Sequence, residues 1–219
     1  MSQINIVYQD SQILIINKQA GLSVLPEGWE KDAPYLVKIL EEQIEKVWVV
    51  HRIDKVTSGI IIFALTAEAH RSLNIQFEKH QVEKTYHAIL TGAPKWDEKI
   101  TKFPLRVNVG HKHRTMVDDK NGVRSETRFK ILKRYQASAL VEAMPMTGKT
   151  HQIRVHAYAL GHPLLGDILY SAPETDIIPR PALHAYSLMF THPNTIESLT
   201  FQAEYPDDFQ TAVKMLREE

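Results

Sequence analysis

Apolar residues along this chain fall in short, largely β-branched blocks bounded by turn-forming residues. Blocks at residues 4–8, 12–17, 47–50, 60–65, 84–90, 127–133, 139–143, 182–190 and 199–203 read as strands. Helical spacing covers 34–46, with Asp32 near its start, and 67–79, where Thr66 is the N-cap candidate and Leu73 and Phe77 lie one turn apart. Residues 207–219 read as a final acidic helix. Strands outnumber helices and do not alternate with them, which predicts an α+β fold with a largely antiparallel or mixed sheet. The pair Asn121-Gly122 predicts a hairpin turn.

Two polar segments interrupt this pattern. The first, His51-Arg52-Ile53-Asp54-Lys55-Val56-Thr57-Ser58-Gly59, sets one carboxylate between two buried strands, so Asp54 sits on a loop of a rigid sheet, where reactive side chains are commonly found. Taken alone, Asp54 reads more readily as an Asx-type turn residue or a cap of the Thr57-Ser58-Gly59 corner. The second is Thr147-Gly148-Lys149-Thr150-His151-Gln152-Ile153-Arg154-Val155-His156, continuing to Gly161-His162-Pro163 and Gly166-Asp167. It reads as a strand, a glycine turn and a helix, with Thr150 as N-cap, Gly161 past the C-terminus, and Ile153, Ala157 and Leu160 as the apolar stripe. Two His, a Gln and an Arg in the first turns are unlike a solvated face of Lys and Glu.

Together these segments resemble the RluA-type pseudouridine synthases, with their His-Arg-Leu-Asp-x-x-Thr-Ser-Gly loop and later Gly-Arg-Thr-His-Gln-Ile-Arg-Val-His motif. The resemblance extends to residues 17–24, to Glu83-Lys84-Thr85-Tyr86-His87-Ala88 and to Leu183-His184-Ala185. Departures are Ile53 for Leu, Lys149 for Arg, and Gln19 where Pro is common. The resemblance implies the pseudouridine synthase catalytic fold, a curved mixed sheet with surrounding helices and a central cleft. It implies isomerisation of uridine to pseudouridine in a stem-loop of ribosomal or transfer RNA. That reaction breaks one glycosidic bond, turns the base and forms another, so no cofactor and no metal are expected. Asp54 would be the essential carboxylate, either as nucleophile on the ribose or as base at carbon 2′. Arg154 would favour its ionised form, and Tyr86 would pack on the target uracil. The target must leave its stack to be reached, and Arg52 matches the position that fills the gap. His51, Lys149, Thr150, His151 and Gln152 are expected to bind substrate, the last four beside a helix N-terminus suited to phosphate. Lys18 and Gly21 would support the cleft, with Asp167 and His184 holding loops.

Composition narrows the alternatives. With 219 residues and no cysteine, the chain reads as a single domain spanning 1–219, without disulfides or thiolate chemistry. Its eleven His invite a metal-hydrolase reading, but His151 and His156 are five apart on a helix, and no His-Glu-x-x-His exists. No leader and no long apolar run is evident, so a soluble, cytoplasmic protein with no membrane partner is expected, a monomer by default. The catalytic pattern starts almost at the N-terminus, so no preceding RNA-binding module is expected. Net charge is zero, yet residues 99–134 carry eleven basic and three acidic side chains, a net of plus eight. This basic hairpin segment, with Arg114, Arg124 and Arg128, is expected to track phosphates. A non-catalytic RNA-binding module would share that feature but not the need for Asp54.

Overall fold

The computed structural model describes residues 4–26, 33–44, 46–110 and 114–218. The predicted helix-start residue Asp32 lies outside them, as do His111 and His113. The chain forms two compact units: residues 1–84 with 185–204, and residues 85–184 with 205–219.

In the first unit, β1 (Asn5–Gln9) pairs with β2 (Ile13–Lys18), and β2 with β4 (Ser58–Ala64), all antiparallel. The short β3 (Trp48–Val49) also pairs with β4, so Asp54 lies in the loop that joins two paired strands. β11 (Leu183–Thr191), which enters this unit at Ala185, pairs with β12 (Ser198–Gln202). The continuous apolar runs of β2 and β4 follow from burial on both faces. Ile13, Ile15, Ile60 and Ile62 join one core cluster with Ala69 and Leu73 of α2 (Ala67–Glu78). Leu14, Ile16, Ile61 and Phe63 join a second with Leu36, Val37 and Leu40 of α1 (Leu36–Glu41). Thr66 caps α2 as predicted, its hydroxyl accepting the N–H of Ala69 at 3.1 Å. Helix α1 is shorter than its pattern. Glu41 and Glu42 fall at its C-terminus, where negative charge opposes the helix dipole, and two N–H groups, of Gln43 and Ile44, converge on the Leu40 carbonyl.

The second unit is built on the antiparallel order β5 (Glu83–Thr91), β10 (Ser138–Pro145), β9 (Thr127–Arg134), β6 (Glu98–Thr101). Helix α3 (Gln152–Ala159) covers one face through Ile153 and Ala157, against Ala88, Leu90, Phe129 and Val141. Helix α4 (Asp207–Glu218) packs Phe209, Ala212, Val213 and Leu216 with Ile89 and Leu140, which alternate onto the other face. A separate hairpin pairs β7 (Leu105–Val109) with β8 (Arg114–Val117). Asn121-Gly122 lies after β8 and does not join these two strands. That pair closes a different turn: Asp118 accepts the N–H groups of Lys120 and Asn121 on its carboxylate and that of Gly122 on its carbonyl. The chain then returns so that Val123 bridges Leu105. Glycine is required at 122 because a Cβ would stand 2.4 Å from the Asp118 carbonyl oxygen and 2.7 Å from the Pro104 carbonyl carbon.

Candidate active site

The Asp54 loop is fastened at both ends. The β3 ladder stops at Val49, and the ring of His51 takes the next strand N–H: Nε2 accepts from Ile62 of β4 at 3.1 Å. A ring nitrogen used this way carries no proton. Burial, with the ring stacked 4.7 Å from Phe77, holds the His51 pKa down to about 3, helped by the Lys84 ammonium. His51, expected to bind substrate, is thus a neutral strand acceptor. It shapes the loop and offers no charge to a phosphate. Within the loop, Thr57 N–H returns to the Asp54 carbonyl at 3.0 Å, and Ile53, Thr57 and Ser58 are buried. Ile53 fills with its own apolar bulk the position where Leu is usual. Asp54 is left half-buried beside the exposed Arg52.

From β2, Lys18 reaches the same loop. Its ammonium, 1% exposed, donates to the carbonyls of Gln19 and Leu22 at 2.8 Å and of Lys55 at 3.3 Å. The Gly21 N–H also donates to Lys55, from a left-handed φ of 88°. Lys18 and Gly21 therefore hold the residue next to Asp54. Gly59, which ends the motif, has a φ of 113°, and a Cβ there would meet the Ala185 carbonyl oxygen at 2.2 Å. The glycine of Thr57-Ser58-Gly59 is thus a requirement of close backbone approach.

In the second unit the Gly148-Lys149-Thr150-His151 loop differs from its predicted form. Helix α3 begins at Gln152, and the N-cap position is His151, in the left-handed region at φ 56°, ψ 17°. Thr150 is exposed and does not cap; no side-chain cap exists for this helix. Gln152, expected at the RNA surface, is 4% exposed. Its Oε1 accepts from the Thr147 hydroxyl at 2.7 Å and Lys149 N–H at 3.1 Å, while Nε2 donates to Glu126 and Thr127. An amide with these four bonds has its hydrogen-bonding capacity filled inside the fold. Gly161 follows the helix with φ 83°, and His162 N–H reaches back to the Ala157 carbonyl, the predicted glycine stop. His156 is fully buried between the Thr127 hydroxyl and the Phe103 carbonyl, with burial lowering its pKa, so both its ring nitrogens have protein partners.

Arg154, the predicted cation, is 5% exposed and forms a bidentate pair with the wholly buried Asp167: Nε to Oδ2 at 2.7 Å, Nη2 to Oδ1 at 2.8 Å. Asp167 holds the guanidinium itself, a finer role than loop support. Tyr170, in the 3-10 turn Ile168–Tyr170, was not indicated by the sequence. Its ring centroid lies 5.1 Å from the Arg154 guanidinium carbon, and its hydroxyl is 2.9 Å from His151 Nδ1. One aromatic three residues after the Gly166-Asp167 pair was the available signal. Tyr86 sits half-buried on β5 opposite Ala143, packed against the same core as α3. His184 is fully buried, packed on Tyr205 and Phe209 of α4 and its approach, as a residue that holds chain segments in place. Asp54, His51 and Arg52 thus belong to the first unit, and Tyr86, Lys149, Thr150, His151, Gln152 and Arg154 to the second.

The basic segment is less positive in space than along the chain. Arg128 on β9 is held by Glu98 of β6 through Nε and Nη2, and Arg134 by Asp97, two acids just outside the counted stretch. Arg106 pairs with Asp118, and Lys102 with Glu126. Arg128 is therefore engaged as the cross-strand partner of Glu98. Arg114 and Arg124 are exposed and have no acidic partner among the described residues. Those residues also contain no cluster of metal-ligating side chains, and no helix long and apolar enough to cross a membrane.

Residues 12–159 match the family model described as RNA pseudouridylate synthase, a span that includes Asp54, Tyr86 and Arg154. The chain is 37% identical to the dual-specificity RNA pseudouridine synthase RluA of Haemophilus influenzae over 203 residues, 92% of this chain and 93% of that one. It is 35% identical to the ribosomal large subunit pseudouridine synthase D of Neisseria meningitidis, over 98% of this chain and 61% of the relative. Among solved structures, human RNA pseudouridylate synthase domain containing 1 superposes with a TM-score of 0.80 at 25% identity, covering 99% of this chain and 96% of that one. Domain containing 4 gives 0.79 at 26%, covering 97% and 93%. Fold, motifs and likeness over almost the full length make this chain a member of the RNA pseudouridine synthase family.

Proposed function

We propose that this isomerase converts specific uridines to pseudouridine in a stem-loop of ribosomal or transfer RNA in the cytoplasm, with Asp54 as its essential carboxylate. The observation that carries the assignment is the Asp54 loop itself. A motif shared with the family is fixed by a neutral His51, a buried Lys18 and an obligatory Gly59, while its one carboxylate stays half-open. Such a loop has the preorganisation that covalent or general-base chemistry needs. Asp54 acts ionised on the ribose, Arg154 supplies the positive charge that favours this form, and Tyr86 packs on the uracil. The base is flipped out, and the exposed Arg52 occupies the vacated stack. Lys149, Thr150, His151, Arg114 and Arg124 contact the RNA backbone; His51, Gln152 and Arg128, engaged within the fold, do not. The reaction is redox-neutral and transfers no group to water, so the protein needs no cofactor.

The test is pseudouridine mapping of total RNA from cells with and without the protein, complemented by wild type or Asp54→Asn. Sites lost on deletion and restored by wild type alone establish the activity and name the substrate. Restoration by Asp54→Asn would overturn the role of the carboxylate.

A further inference from the structure

Tyr170 stands where three parts of the second unit meet. It is 4% exposed and shares a core cluster with Leu105 of β7 and Val155 of α3. Its hydroxyl accepts the backbone N–H of Thr115 in β8 at 3.1 Å and is 2.9 Å from His151 Nδ1. Its ring lies edge-on to His151, with centroids 5.7 Å apart, and 5.1 Å from the Arg154 guanidinium carbon. Asp167, three residues earlier, holds that guanidinium, and the Tyr170 N–H donates to the Asp167 carbonyl. One side chain therefore touches the hairpin, the strained first residue before α3 and the cation of the site.

We propose that Tyr170 is a positioning residue: its hydroxyl ties the β7–β8 hairpin to His151, and its ring fixes Arg154, so that RNA held by Arg114 sets the geometry of that cation. The link is short, because Arg114 precedes Thr115, whose N–H is the donor. It explains why His151 tolerates a left-handed φ of 56° without glycine. Such a conformation persists where surrounding contacts over-determine it, and Tyr170 supplies two of them. It also explains why the hairpin, outside the main sheet order, has a buried polar anchor.

This inference rests on the proposed RNA isomerase reading, and its test separates the two. A transcript of the stem-loop found by mapping serves as substrate for wild type, Tyr170→Phe, Arg114→Ala and the double variant. Tyr170→Phe keeps the ring and removes the hydroxyl. The expected result is about a tenfold lower single-turnover rate at saturating RNA, within the scale of the two hydrogen bonds lost, with the dissociation constant within about twofold. Arg114→Ala should lower that saturated rate in the wild-type background and not further in Tyr170→Phe, since the link is already cut. Tyr170→Leu, which also removes the ring beside Arg154, should lose more. A residue that is merely structural would give additive effects, or a loss confined to thermal unfolding. Either result, or a wild-type rate in Tyr170→Phe, overturns the proposal while wild-type turnover and an inactive Asp54→Asn leave the isomerase reading intact.

Discussion

Replacing Asp167 by Ala removes from the Arg154 guanidinium, 5% exposed, the two charged bonds of 2.7 and 2.8 Å that Asp167 accepts. Removing one partner of a buried pair costs about 3–5 kcal/mol, because the other charge stays buried. A domain of this size has roughly 5–15 kcal/mol in total, so the loss is a large part of its stability. At roughly 2–4 °C per kcal/mol, the melting midpoint should fall by about 10 °C. Urea unfolding followed by circular dichroism reads the free energy, and the amount of pseudouridine formed in the RNA, at a temperature where the variant is folded, reads turnover. The double variant Arg154→Met with Asp167→Leu separates stability from chemistry. Apolar replacement of a whole buried pair is often neutral or stabilising. Its unfolding free energy should return to within about 1.5 kcal/mol of wild type, the range of volume-conserving core changes, while turnover stays absent. A double variant as unstable as Asp167→Ala would refute the buried-pair argument. A stable, active double variant would remove Arg154 from the site.

Gly59→Ala should destabilise the protein by about 3 kcal/mol or more, through a φ of 113° and a Cβ 2.2 Å from the Ala185 carbonyl oxygen. Gly148→Ala, with nothing within 4 Å, should stay within about 1 kcal/mol; equal losses in urea unfolding would contradict the close-approach argument. His51 and His87 have folded pKa values lowered to about 3 and about 4, both by burial first, with Lys84 adding to the first and His184 to the second. Between those values and the unfolded value near 6.5 the unfolded chain binds more protons, so stability falls as pH falls. The expected loss from pH 7 to pH 5 is about 2 kcal/mol from each, and His51→Gln should flatten the slope by close to one proton. An unchanged slope in that variant would mean that His51 titrates normally. Arg114→Ala with Arg124→Ala should reduce the salt dependence of RNA binding by up to about two phosphate contacts, and Arg128→Ala by less, as measured by filter binding at several salt concentrations. The reverse order would show that the Glu98 pairing opens on RNA.

What could be read before the fold was known divides along a physical line. The central strands were legible because burial on both faces leaves an unbroken apolar run, as in Leu14 to Ile16 and Ile60 to Phe63. The Asp54 loop was legible because chemistry repeats residue types at fixed spacing, and Thr66 because a cap is a local bond. What stayed hidden depends on partners far along the chain. His51 is a strand acceptor only because β3 stops two residues earlier. Gln152 turns inward because Thr147, Glu126 and Thr127 meet its amide from β9, β10 and their ends. The pairing of Arg128 is invisible to the order of charges along the sequence, because the β6–β9 register sets Ile100 opposite it and brings Glu98 within reach.

The same division bears on the resemblance itself. A motif shows that a side chain is required, without showing whether it reaches outward to substrate or inward to hold its neighbour. In His51-Arg52-Ile53-Asp54 the first and third residues turn inward, while Arg52 is exposed and Asp54 half-buried. In Lys149-Thr150-His151-Gln152 the last is interior and Thr150 is exposed. Inward members should therefore lose activity through stability or loop geometry, and accept replacements that preserve a bond or a volume. Outward members should lose activity with the fold intact and accept none that change their chemistry. Ile53 and Lys149, the departures from the family within these two loops, agree with that rule: the buried one keeps its volume, and the half-exposed one keeps its charge.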